Sequence, residues 1–183
     1  HDELTGLPNR RLFCDLMSFK VVEARRNRTK FAILFLDLDR FKEINDTLGH
    51  EVGDEVLKAA AAKLRSTIRE SDIIARLGGD EFIILLSDMN HVGAISEVAR
   101  KIINSFSSSF SIAGNDVLVA PSIGISMYPD DGEEIDSLLR NADTAMYQAK
   151  ERGRNKYLFY NPAMNIHMLS RLRLTSRTKS GSA

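Results

Sequence analysis

The chain predicts a mixed α/β fold in which a central sheet is covered by helices, on three observations. Short apolar strands alternate with amphipathic stretches of about 10–15 residues, the pattern of a sheet packed under helices. At 183 residues and 43% hydrophobic content, the chain can bury one sizeable core. Two acidic turns, LFLDLDRFK at 34–42 and ARLGGDEFIILL at 75–86, each set carboxylates beside a strand too apolar to be a surface.

Each element has a local cause. Pro8, Asn9, Arg10 and Arg11 open a helix with Leu12, Phe13, Leu16 and Val21 at helical spacing, and Arg25, Arg26 and Arg28 place cations at its C-terminus. A buried strand over 31–37 ends near Asp37 and Asp39, followed by a short helix over 40–48 and a loop over 49–53. Residues 55–68 form an alanine-rich helix with Val56, Leu57, Ala60, Leu64 and Ile68 on one side. Strands over 73–77 and 82–86 make a hairpin around Gly78 and Gly79. A helix over 92–106 precedes a small ribbon over 110–119 centred on Gly114 and Asn115, and then a strand over 122–127. The last core helix, 135–151, is stopped by Gly153, and the last strand is 157–160. Met164, Met168, Leu169 and Leu172 predict a further helix, so the chain divides into a domain over 1–160 and a helical linker and tail over 161–183.

Composition narrows the function. Twenty-five basic residues balance twenty-five acidic ones, which argues against a nucleic-acid polymer as partner and requires any anionic ligand to bind a local cluster. The single cysteine, Cys14, permits no internal disulfide or thiolate metal set and reads as a helix-packing residue, as in a reducing, cytoplasmic compartment. No apolar run reaches the roughly 18 residues that span a bilayer, so membrane anchoring would belong to the rest of a full-length protein. The start at His1 inside a motif and the small, polar ending over 178–183 are those expected of a piece of something longer.

Carboxylates at a sheet edge beside a Gly-Gly turn suit a divalent cation carrying phosphates, because Mg²⁺ takes oxygen ligands and keeps part of its water. Five segments in order, DELTGLPNRR (2–11), LDLDRFKEIND (36–46), LGHEVGD (48–54), RLGGDEF (76–82) and ADTAMYQAKERGRN (142–155), resemble the GGDEF domain family of diguanylate cyclases. The resemblance covers essentially residues 1–160. It implies a palm-like fold shared with nucleotidyl cyclases, and condensation of two GTP into cyclic di-GMP with loss of pyrophosphate, at a site formed between two domains of a homodimer. It further implies Asp37, Asp80 and the Leu38 carbonyl as ligands of Mg²⁺, with Mn²⁺ as an alternative, and Glu81 as a catalytic carboxylate that takes a proton or helps hold the metal. Asn45 and Asp54 would read the guanine edge; as ordinary capping residues they would instead close one helix and open the next. Lys42, Lys150 and Arg154, with the Phe41 and Lys42 N–H groups, would meet phosphates. Lys150 and Arg154 are four apart, where one helix face could present both.

Arg69-Glu-Ser-Asp72 matches the family's Arg-x-x-Asp inhibitory product site, with Arg100 as a third contributor. The segment YNPAMNIHMLSRLR (160–173) resembles the connector to a cyclic-di-GMP phosphodiesterase domain of the EAL family. A fused sensor or EAL domain is therefore expected. The alternative function is a catalytically silent, GTP-binding domain that regulates such a phosphodiesterase.

Overall fold

A computed structural model describes residues 1–166. The elements, in order, are α1 (Arg10–Asn27), β1 (Phe31–Leu38), α2 (Phe41–Leu48), α3 (His50–Thr67), β2 (Ile73–Gly78), β3 (Glu81–Leu86), α4 (Val92–Ser105), β4 (Phe110–Ile112), β5 (Asn115–Val117), β6 (Pro121–Tyr128), α5 (Ile135–Glu151) and β7 (Tyr157–Phe159). Five strands form one sheet in the order β2-β3-β1-β6-β7, and β4 and β5 form a separate ribbon. All neighbours in the large sheet are antiparallel except β6 and β7, which are parallel. The mixed α/β expectation holds.

Position in the sheet explains the strand sequences. β1 lies at the centre and is buried at all eight residues, so it reads as an unbroken apolar run and not as an alternation. Its two faces still separate by parity. Ala32, Leu34, Leu36 and Leu38 join the layer under α3 and α4, with Leu57, Leu64, Ile95 and Ile102. Phe31, Ile33 and Phe35 join the layer under α1 and α5, with Phe13, Met17, Leu138 and Met146. Asp37 continues that second face at the end of the strand.

Three local expectations change. The loop expected over 49–53 shrinks to Gly49, whose φ of 92° turns the chain between α2 and α3. Gly53 lies inside α3, where the missing Cβ makes room for a neighbour and not for a turn. The ribbon turns at Ala113 and Gly114, both with positive φ, and Asn115 already belongs to β5. Helical residues begin at Ala163 and Met164 is buried, whereas Met168, Leu169 and Leu172 lie outside the described residues. No helix among the described residues is long and apolar enough to cross a membrane.

Candidate functional site

The site forms where β1 and β3 end together. Asp37 pairs with Glu81 across the two strands, and Leu38 N–H donates to the Asp80 carbonyl at 3.3 Å. Asp80 occupies the turn and Glu81 opens β3, with a register shift between Arg76 and Gly78. That irregularity lets consecutive acidic residues both serve one strand end, which a regular pleat would forbid.

Asp37 is 7% exposed, and burial pushes its carboxyl up to about 7, helped by the adjacent Asp80 carboxyl and opposed by Lys150. Lys150 Nζ stands 2.9 Å from Asp37 Oδ1, off the line of a hydrogen bond, so this buried oxygen has an ion-pair partner but no aligned donor. Two adjacent carboxylates with one lysine between them, one having an oxygen without an aligned donor, fit a hard divalent cation. Among the described residues no three His, Cys, Asp or Glu side chains converge as a metal group. A cation here would therefore draw on Asp37, Asp80, the Leu38 carbonyl, and oxygens from phosphate and water.

Glu81 faces a cavity of about 410 Å³ lined also by Arg10, Phe35, Asp136, Leu139, Arg140 and Asp143. Partial burial raises its carboxyl first, and Asp143 and Asp80 add to the rise against Arg10 and Lys150. The Asp143 carboxyl is raised by partial burial against this cavity, although the residue as a whole is exposed on α5. Arg10 and Asp143 are neighbours of the acidic centre that sequence reasoning missed. Only their occurrence inside the quoted segments hinted at them.

The signature turn has its own fastening. Gly78 and Gly79 take φ values of 134° and 51°, and Arg76 donates to the Gly79 carbonyl from Nε at 3.0 Å and from Nη2 at 2.8 Å. Its Nη1 reaches Asp2 Oδ1 at 2.8 Å, while Asp2 Oδ2 accepts from Thr5 N–H and Oγ1. Burial alone would raise the Asp2 carboxyl, but Thr5 and Arg76 outweigh it and hold it below its ordinary 3.8. A depressed carboxyl stabilises the fold above its unfolded value, and that contribution is lost as pH falls through the folded value. Asp2→Asn is accordingly expected to destabilise by about 1–2 kcal/mol at neutral pH, with the gap to the parent closing below pH about 4. Urea unfolding at several pH values measures it; a gap independent of pH would contradict the charge argument.

Asn45 packs beside the start of α3, while exposed Asp54 lines a cavity of about 360 Å³ with Glu51, Lys58 and Ile112. A Cβ on Gly53 would lie 1.8 Å from Asn45 Oδ1, so the amide rests directly on the glycine that precedes Asp54. Neither residue is a helix cap: Gly49 closes α2, and Asp54 lies inside α3. Phe41 is buried and Lys42 exposed in the first turn of α2, which follows Arg40 in a left-handed conformation. The α2 N-terminus thus begins three residues after Leu38, with no side-chain cap on its first N–H groups.

One expectation about the phosphate contacts is corrected. Lys150 lies in the last turn of α5, but Arg154 is past the helix end with φ of 60°, so no helix face presents both. Gly153, at φ 107°, ends the helix. Asp39, which received no role from sequence, is buried at 7% and accepts from Ser122 Oγ at 2.6 Å and Asn155 N–H at 2.9 Å.

Arg69 and Asp72 form a bidentate pair, Nε to Oδ2 at 3.2 Å and Nη2 to Oδ1 at 3.1 Å. The Asp72 side chain is 1% exposed and also accepts from Arg69 N–H and Ser87 N–H. Its acceptor directions are filled, so direct contact with a guanine would require these bonds to exchange. Arg69, 53% exposed, is the accessible member, and Arg100 is exposed on α4.

Comparisons with known proteins agree with this geometry. Residues 1–156 match the family described as diguanylate cyclase, GGDEF domain. The bifunctional diguanylate cyclase/cyclic di-GMP phosphodiesterase MucR of Pseudomonas aeruginosa is 42% identical over 95% of this chain, which spans 25% of MucR. Diguanylate cyclase TpbB of the same species is 44% identical over 84% of this chain and 36% of its own length. The solved GGDEF domain of TpbB superposes with a TM-score of 0.90 at 40% identity, covering 92% of this chain and 99% of that one. The chain therefore spans between a quarter and about a third of these curated relatives. With the family match running through both acidic turns and every strand of the sheet except β7, the chain belongs to the GGDEF domain family.

Proposed function

We propose that this domain condenses two GTP molecules into cyclic di-GMP with release of two pyrophosphates, each domain of a facing pair holding one GTP. The observation that carries this reading is buried Asp37 beside the half-buried Asp80, with Lys150 as the ion-pair partner of Asp37, next to the uncapped α2 N-terminus. Asp37, Asp80 and the Leu38 carbonyl would hold Mg²⁺. Bound there, the ion would supply Lewis-acid stabilisation of phosphate charge and acidify the attacking 3′-hydroxyl. Glu81, whose carboxyl is raised from its ordinary value by partial burial and then by Asp143 and Asp80, is suited to accept that hydroxyl's proton. Lys42, Lys150, Arg154 and the Phe41 and Lys42 N–H groups would take the phosphates, opposing the charge that builds as pyrophosphate leaves. Asp54 would accept from the guanine N1–H and N2–H₂ donors, with Asn45 completing the edge; adenine lacks that donor pair.

Chain joining needs the 3′-hydroxyl of one GTP to reach the α-phosphorus of another, so a single domain holds half a site. Incubating the protein with GTP and Mg²⁺ and identifying the product tests the reading; cyclic di-GMP is expected, more strongly when two domains are tethered. Tight GTP binding without product would favour a regulatory domain in a larger protein.

Two further outcomes follow from the geometry. Gly53→Ala puts a methyl where Asn45 Oδ1 now rests, and a flexible side chain can swing away. Stability should change little, while GTP affinity falls by about tenfold or more through loss of a base contact; calorimetry with unchanged affinity would remove Asn45 from the site. Product should inhibit the parent through Arg69, so Arg69→Ala is expected to stay active as cyclic di-GMP accumulates. Arg69 is the residue to change, since Asp72→Ala would strand the buried Ser87 N–H. Identical inhibition curves would show the pair to be structural only.

A further inference from the structure

We propose that Asp39 is a positioning residue that fixes Arg154 beside the strand end carrying Asp37 and Leu38; the inference rests on the reading of this site as a GTP site. Asp39 directly follows β1, and its N–H donates to the Ala120 carbonyl at 2.7 Å. Its carboxylate is shared between two elements. Oδ1 accepts from Ser122 Oγ, itself fully buried on β6, and Oδ2 accepts from the backbone N–H of Asn155. Arg154 and Asn155 are consecutive non-glycine residues with φ of 60° and 49°, a conformation that persists only when the surroundings hold it. The Arg154 N–H is tied back to the Ala149 carbonyl at 3.0 Å, so the loop is anchored to α5 on one side and to Asp39 on the other.

Anchoring both sides determines where the Arg154 side chain starts. Arg154 is exposed and lines, with Asp39, Arg40, Gly153 and Asn155, a cavity of about 600 Å³. A long cation on an untethered loop would lose conformational freedom on meeting a phosphate; one whose backbone is already held loses less. An asparagine at 39 offers one oxygen and a donor, so Ser122 Oγ and Asn155 N–H can no longer both donate to it; keeping one bond requires the other to reverse or to be lost, and the charge is lost in either case. Ser122 is also 0% exposed and accessible to no ligand, so the Ser122–Asp39–Asn155 chain acts only through the backbone it holds.

A double-mutant cycle on nucleotide affinity tests this without requiring turnover. The dissociation constant of a non-hydrolysable GTP analogue with Mg²⁺ is measured by calorimetry for the parent, Asp39→Asn, Arg154→Ala and the double variant. Asp39→Asn should weaken binding about tenfold, in the range for residues that orient a direct contact. In the Arg154→Ala background the same change should weaken it by no more than about twofold. Combined with Lys150→Ala, by contrast, the losses should multiply, because Lys150 lies on α5 before the anchored loop. If Asp39→Asn does not fold, Ser122→Ala decides: it releases Oδ1 in a site where a small residue fits, and should give a smaller loss that also vanishes without Arg154. Losses that multiply with Arg154→Ala, or affinity within twofold of the parent for the folded variant, would overturn the inference alone. A parent that binds no GTP analogue would overturn the site reading and this inference together.

Discussion

Asp37→Asn is expected to abolish cyclic di-GMP synthesis and, at the same time, to raise the melting temperature of the nucleotide-free protein. The first effect follows from removing one of the few fixed anionic oxygens available to a divalent ion. The second follows from burial. A carboxyl raised from 3.8 to about 7 penalises the folded state as pH climbs between those values, because the ionised form is better solvated in the unfolded chain. Asparagine carries no such penalty. The rise is already net of the Lys150 ion pair, and relaxation of the folded chain around the charge absorbs part of it, leaving an expected stabilisation of about 1–2 kcal/mol, or roughly 2–8 °C. The advantage should be largest above pH 7 and should shrink towards pH 4. Thermal melts across that range, with a product assay at ordinary Mg²⁺, check both parts. Retained turnover would refute the metal assignment, and a lower melting temperature would mean that Lys150 outweighs burial. An active centre that destabilises its own fold is a common arrangement, since charge kept for catalysis is held away from water.

Gly124→Ala should be the most damaging substitution outside the acidic centre. A Cβ there would lie 2.0 Å from the Ala142 carbonyl oxygen and 2.1 Å from the Met146 nitrogen. Both are backbone atoms of α5, so no rotamer change relieves the clash; the helix itself must lift from β6. The penalty should reach or exceed the roughly 3 kcal/mol upper end for overpacking, lowering the melting temperature by about 6–12 °C or more. Lifting α5 also carries Asp143 away from Glu81 and Lys150 away from Asp37, so activity should fall even where the protein remains folded. Gly93→Ala is the control: nothing lies within 4 Å of its added Cβ, and it sits in the exposed first turn of α4, where alanine should be neutral or mildly stabilising. Urea unfolding of the two variants compares them directly. Equal stability for Gly124→Ala and the parent would show that α5 does not bear on the sheet as closely as the backbone places it.

Much of this molecule was legible in its sequence because the deciding physics was local. The unbroken run of β1, the Gly78-Gly79 turn and the alanine-rich face of α3 each follow from periodicity or backbone freedom within a few residues. The five motifs likewise picked out Asp37, Asp80 and Glu81 as candidates, and the fold brings them to one strand end. Other features depended on residues distant along the chain. Gly53 looks like a loop glycine until Asn45 is seen lying on it, and Gly124 is an unremarked strand residue until α5 packs against it. Arg154 seemed to share a helix face with Lys150, whereas Gly153 ends the helix and Asp39 receives the loop. The sequence by itself determined which strands are buried, which turns are tight and which family's chemistry is written at the strand ends. Only the tertiary structure decided which carboxylates keep acceptor capacity for a ligand, because Asp39 and Asp72 are taken up by aligned donors while Asp37 Oδ1 meets only the Lys150 ammonium, off the line of a hydrogen bond.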